Sequence, residues 1–154
     1  MLSVSAKTYE LGELFMKETA GTLLYRIGSD AVEVLLVHPS GNYNRKAAWS
    51  IPKGLPEEAE TMEEAARRET FEETGIRPRS LKPLGHADYT KSRKRIHCFF
   101  GLAPENAEPK VNSWEVDRAE FVPLAVAAKH IHQDQAVFLK RLNQALKAFA
   151  KFQS

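Results

Sequence analysis

The 154-residue chain reads as an α/β domain built on a mixed sheet with helices over both faces. Three observations lead there. Two apolar strand-like runs, residues 19–27 (TAGTLLYRI) and 32–37 (VEVLLV), flank a Gly28-Ser29-Asp30 turn. A helix with start and stop signals lies between Thr61 and Gly75. A long amphipathic run from Asp134 through Phe152 closes the chain after further strand-like segments.

Composition excludes several classes. Hydrophobic content of 43% with 27% charged residues is that of a globular domain, not a disordered chain. A formal charge of +2 imposes no nucleic-acid partner. No apolar run nears the ~18 residues of a membrane span, so no membrane partner is expected. The start lacks the basic-then-apolar pattern of a secretory signal, and a cytoplasmic location is the expectation. The single cysteine, Cys98, lies in the apolar run IHCFF and reads as a buried structural residue. Residues 1–15 show no period and read as an N-terminal extension, leaving residues 16–154 as one domain. Oligomeric state is not legible.

The elements follow in order. The first two runs form a hairpin, and the second is too apolar to leave one face in water. Residues 38–48 (HPSGNYNRKAA) are a polar loop leading into Trp49-Ser50-Ile51-Pro52-Lys53-Gly54. Thr61 caps the helix with Glu64 as capping-box partner, and Gly75 stops it. Residues 79–84 read as a strand, with Gly85 as a bulge or turn. Two more strand segments, 86–90 and 96–103, flank a basic turn holding Lys91, Arg93, Lys94 and Arg95. A strand over 118–122 and a short helix over 123–130 precede the final helix, whose stripe is Val137, Phe138, Leu142, Leu146 and Phe149.

The first helix carries an anomaly. Glu69, Glu72 and Glu73 stand at i, i+3 and i+4 on one face, beside Met62, Ala65, Ala66 and Ile76. Clustered carboxylates on an apolar stripe are costly to desolvate and call for a cation, and oxygen ligands suit a hard ion such as Mg²⁺. The alternative is a solvated acidic face with Phe71 packed inward, and periodicity leaves both open.

Residues 54–76 resemble the Nudix box, G-x5-E-x7-R-E-U-x-E-E-x-G-U, where U is a bulky aliphatic residue. Gly54, Glu60, Arg68, Glu69, Glu72, Glu73 and Gly75 fill every fixed position and Ile76 the last U, while Thr70 stands where the family usually has Ile, Leu or Val. The resemblance extends from about Thr19 to about Leu146. It implies the Nudix α/β/α sandwich with a mixed central sheet, and metal-dependent hydrolysis of a phosphoanhydride bond in a nucleoside diphosphate linked to a further group. Mg²⁺ or Mn²⁺ is the implied cofactor. Its ligands would be Glu69, Glu72 and Glu73, with the Gly54 carbonyl and Glu115, the glutamate outside the box that best matches the family's loop position. Glu120 is the second choice there. One of Glu69, Glu72 or Glu115 would be the general base. Arg68 joins the catalytic set as the group that fixes a carboxylate, since Arg68 and Glu72 are i, i+4 partners.

The implied substrate is a nucleotide polyphosphate. The W-x-x-P-K-G entry and the Ser113-Trp114-Glu115-Val116 run resemble the family's diadenosine polyphosphate hydrolases. A dinucleoside polyphosphate or nucleoside triphosphate is therefore expected. An RNA 5′ end is the alternative, and a non-catalytic nucleotide sensor the alternative of a different class. Lys53 reads as a phosphate contact or an exposed loop lysine, Arg45 and Lys46 as helpers at the mouth, and Trp49 as a packing residue in preference to a base-stacking platform. Lys91, Arg93 and Lys94 would hold the outer phosphates or would only keep a hairpin edge soluble, and Tyr89 reads as a base or phosphate contact or as a structural residue.

Overall fold

The computed structural model describes residues 16–153. The expected extension over residues 1–15 lies outside them. Strands β1 (Lys17–Ile27) and β2 (Val32–Pro39) are followed by the two-residue β3 (Lys53–Gly54), helix α1 (Met62–Thr74), β4 (Lys82–Asp88), β5 (Lys94–Leu102), β6 (Val116–Pro123), and helices α2 (Leu124–His130) and α3 (Ala136–Gln153). The sheet runs β4-β5-β1-β2-β6, and β3 pairs with β1.

The sheet is mixed, as expected. β1 and β5 are parallel from Lys17↔Lys94 to Tyr25↔Leu102. The far end of β1 pairs antiparallel with β2, and its middle pairs antiparallel with β3 at Ala20↔Gly54 and Gly21↔Lys53. That second pairing requires a bare backbone, because a Cβ on Gly21 would lie 2.2 Å from the Pro52 carbonyl oxygen.

Side chains alternate across the sheet and separate the two helix layers. Leu23, Val34, Leu36, Ile96 and Cys98 pack with Phe138, Leu139 and Leu142 of α3 and Ala127 of α2. Ala20 packs on the other face against Ala65 and Ala66 of α1. Each fully buried Leu or Phe contributes about 1.5–3 kcal/mol relative to exposure, so this double layer is the main source of stability. Burial pushes the Cys98 thiol far up and leaves it inert.

Helix α1 carries the expected caps. The Thr61 hydroxyl accepts from the Glu64 amide at 3.1 Å, and the Glu64 carboxylate accepts from the Thr61 amide at 2.8 Å. Gly75 takes the left-handed conformation at φ 75°. The Nudix-box departure at Thr70 has a physical partner. Its hydroxyl meets that of Thr22 on β1 at 2.7 Å, and both residues are fully buried.

Three expectations need correction. Residues 79–84 and 86–90 are not separate strands: β4 runs through Gly85, which sits at φ 85° and absorbs a register shift against β5. The final helix starts at Ala136, after a 3-10 turn at Gln133–Gln135. Phe149 is exposed and leaves the apolar stripe, which ends at Leu146.

Candidate active site

Helix α1 turns its acidic face inward. Glu69 and Glu73 are buried, at 8% and 5% exposure, whereas Glu72 is exposed and Phe71 half-buried beneath the Arg77 guanidinium. The Phe71-inward alternative is thereby ruled out. Burial pushes the Glu69 carboxyl up to about 7, with the Glu72 charge adding to the effect. Burial and then the Glu69 charge push Glu73 up to about 8, against the pull of Lys53. The Lys53 ammonium is lowered by the same burial.

β3 brings Lys53 and Gly54 over this face. The Glu69 carboxylate occupies the space a side chain at position 54 would take, with Oε2 only 1.6 Å from where a Cβ would stand. Arg68 is tied to protein groups on all sides. Its Nε and Nη2 donate to Glu60 at 2.7 and 3.0 Å, Nη1 to Glu72 at 2.9 Å, and Nη2 also to the Leu55 carbonyl at 3.0 Å. The Arg68 hydrogen bonds hold Glu60 down at about 2. Arg68 thus pins the approach loop to the helix and steers Glu72.

Among the described residues, no three acidic, imidazole or thiol side chains converge closely enough to chelate an ion in this arrangement. Like-charged carboxylates repel, and Arg68 draws Glu72 outward. The donor set still fits a hard cation. It is all oxygen, two of its carboxylates are buried beside each other, and glycine at 54 leaves its carbonyl approachable.

Glu69 and Glu73, but not Glu72, open into a groove formed by two adjoining clefts of about 370 and 350 Å³, which share Lys53, Tyr89, Lys94 and Glu115. Glu73 lines the first cleft, and Gly54 and Glu69 line the second. Glu115 stands on the loop before β6, where its charge raises both Glu69 and Glu73. Glu120 lies elsewhere, in a depression with Leu36, Trp49 and Arg118. Of the basic turn, Lys94 reaches the groove. Lys91 and Arg93 line neither cleft, and Arg95 pairs with Asp88 at 2.7 Å. Arg45 also misses the groove and lines a neighbouring cavity with Lys46 and Trp49.

Two further residues line the groove: Gln135 carries no signal in the sequence, and His132, with His130, reads there as structural or substrate-adjacent. Gln135, 1% exposed, accepts from the Ile51 amide and donates to Ser50 Oγ and Tyr89 Oη, all at 2.9 Å. His132 stacks on Tyr89 with centroids 4.6 Å apart and planes 20° from parallel. A polar residue at the start of an amphipathic helix looks solvent-facing, and only the fold reveals its three partners. A larger depression of about 730 Å³, at the far end of β1 beside Arg26 and Phe121, contains none of the candidate carboxylates.

The NUDIX domain model matches residues 17–142. The chain belongs to the Nudix family. It is 28% identical over 132 residues to the 8-oxo-(d)GTP phosphatase of Mycolicibacterium smegmatis, a match covering 79% of this chain and 40% of that protein. The chain spans less than half the length of the curated relatives it matches. Among solved structures, a C. elegans Ap4A hydrolase binary complex superposes with a TM-score of 0.73 at 22% identity, covering 86% of this chain and 99% of that one. The NUDIX domain of Shewanella oneidensis NrtR complexed with ADP ribose also has a TM-score of 0.73, at 18% identity, covering 92% of this chain and 97% of that one. These structural likenesses establish the fold. Among the described residues, no helix is long and apolar enough to cross a membrane.

Proposed function

We propose that this Nudix domain hydrolyses a phosphoanhydride bond in a nucleoside diphosphate linked to a further group, with Mg²⁺ or Mn²⁺ as cofactor. A dinucleoside polyphosphate or nucleoside triphosphate is the substrate class. The observation that carries this reading is the buried pair Glu69, packed against Gly54, and Glu73, pushed up to about 7 and 8 in a groove lined by Lys53 and Lys94. A fold keeps such a destabilising pair where a cation and a phosphate make use of it.

Glu69, Glu72 and Glu73 would hold the ion together with the Gly54 carbonyl and Glu115. When bound, it screens phosphate charge and acidifies a water. Arg68 keeps Glu72 and the Gly54–Glu60 loop in register. Lys53 and Lys94 offer positive charge to the phosphates along the groove. The stacked Tyr89–His132 pair, braced by Gln135, offers a flat apolar surface beside them, suited to a nucleobase. The proton released by the attacking water passes to Glu69, Glu72 or Glu115, and Gln replacement of each separates the three.

The test is a substrate panel with Mg²⁺, scored by product identity, on the wild type and Glu73→Gln. Hydrolysis of a dinucleoside polyphosphate or nucleoside triphosphate, lost by a factor of about 10² or more in a folded Glu73→Gln protein, supports the reading. Nucleotide binding without phosphate release identifies a sensor. Cleavage confined to RNA 5′ ends or ADP-ribose overturns the substrate class.

A further inference from the structure

Beside the groove lies a second cavity of about 410 Å³, lined by Arg45, Lys46, Trp49, Arg118, Lys129 and His130 among others. Its cations come from three separate parts of the fold: the loop before Trp49, strand β6, and the last turn of α2. Among the described residues, no Asp or Glu lines it. Asp117 sits 2.9 Å from Nδ1 of His38, itself a lining residue, and 3.9 Å from Arg118 Nε, while Glu120 lines an adjoining depression with Trp49, Arg118 and His130. Among the described residues, Arg45, Lys46 and Lys129 make no ion pair, whereas Arg26, Arg67, Arg68 and Arg95 are each matched to a carboxylate.

The cavity is held in shape. Trp49 forms its wall, with its amide donating to the His130 carbonyl at 2.9 Å and its carbonyl accepting from the His132 amide at 2.8 Å. The Arg118 guanidinium lies 5.1 Å from the centre of the Trp49 ring. Ala47 and Ala48 line this cavity and the groove alike, so two small side chains form the boundary between them. Cations kept only for solubility can spread over a convex surface. These line one concavity with no carboxylate among its described lining residues, next to a groove that takes phosphates on the reading above.

We propose that this cavity is a second anion subsite, which receives the phosphates of the substrate's polyphosphate chain that lie beyond the bond being cut. It rests on the proposed function and extends it. Arg45, Lys46, Arg118 and Lys129 bind the distal phosphates through charge-assisted contacts, and the subsite favours longer chains over shorter ones.

The chain's two tryptophans allow a direct test, since Trp49 walls the cavity and Trp114 stands exposed on the loop beside Glu115. Inorganic tripolyphosphate is titrated into ¹⁵N-labelled protein without divalent ion, following both indole resonances in the wild type and in Arg118→Gln/Lys129→Gln. The Trp49 resonance is expected to move, with affinity about a hundredfold weaker in the variant, the scale of two lost charged contacts at about tenfold each. The Lys129→Gln single variant provides the same readout should the double variant not fold. Movement of Trp114 alone puts the anion in the groove and overturns the proposal. A second arm compares KM for a dinucleoside tetraphosphate and a triphosphate with Mg²⁺. The variant should raise the first more than the second. Equal effects on both mean that the cavity holds free phosphate and not the substrate chain, which also overturns it. The indole arm reads no hydrolysis, so its failure is distinct from failure of the proposed activity.

Discussion

The Glu69 carboxylate fills the space that a side chain at position 54 would need, Oε2 lying 1.6 Å from the ideal Cβ position of Gly54. Glycine is required there to make room for a neighbour's carboxylate, in a backbone that pairs as an ordinary strand with β1. Gly54→Ala should push Glu69 off its position while leaving the core intact. Turnover is expected to fall by about 10²-fold, the cost of roughly 1 Å of misplacement, with little change in Tm. Wild-type turnover with a folded alanine variant would show that the Glu69 position is not critical.

Protonation of the buried acids should couple stability to pH. Glu69 and Glu73 are raised from 4.5 to about 7 and 8, so between those values the folded chain holds more protons than the unfolded one. Their contribution is fully present below about 4.5 and is lost as pH rises through about 7–8. In excess chelator, Tm should therefore drop between about pH 5 and pH 8, and Glu73→Gln should flatten that drop. Adding Mg²⁺ should release protons, measurable by calorimetry in buffers of different ionisation enthalpy, with tighter binding at pH 8 than at pH 6.

The buried Thr22 and Thr70 hydroxyls, 2.7 Å apart, are expected to act as a unit, the Thr70 hydroxyl also donating to the Ala66 carbonyl at 2.7 Å. Thr70→Val removes one partner and should cost about 1–2 kcal/mol in urea unfolding. Thr22→Val together with Thr70→Val should recover most of that loss, because two apolar groups of the same shape replace the pair. Additive losses would mean that the two hydroxyls act independently.

Gln135 braces the groove from behind. Gln135→Leu leaves the Ile51 amide and Tyr89 hydroxyl without their partner and should destabilise by about 2–3 kcal/mol. It should also raise KM more than it lowers kcat, since it loosens Tyr89 and leaves the carboxylates in place.

Much of this was legible because the signals are local. The α1 caps lie within four residues of their partners, and the carboxylate face follows from helical spacing alone. The runs at β1 and β2 are apolar enough to announce burial. β3 was not legible, since two residues carry no period and their strand character comes from β1. The β1–β5 pairing is parallel and joins residues 77 apart, from Lys17↔Lys94 to Tyr25↔Leu102, beyond the reach of any local pattern. Arg45 and Lys94 look alike as loop cations, yet the fold turns one to the neighbouring cavity and the other to the groove. Gln135 is the clearest omission, because its importance lies in three contacts made across the chain.

The most direct measurement is the anomalous scattering of Mn²⁺ in crystals grown with a non-hydrolysable nucleotide. A Mn²⁺ peak is expected between Glu69, Glu73 and the Gly54 carbonyl, with Glu72 swung in and phosphate oxygens on its open side. A Mn²⁺ peak elsewhere, with those glutamates turned away from both ion and phosphate, would contradict the metal-assisted hydrolysis on which the proposed function rests.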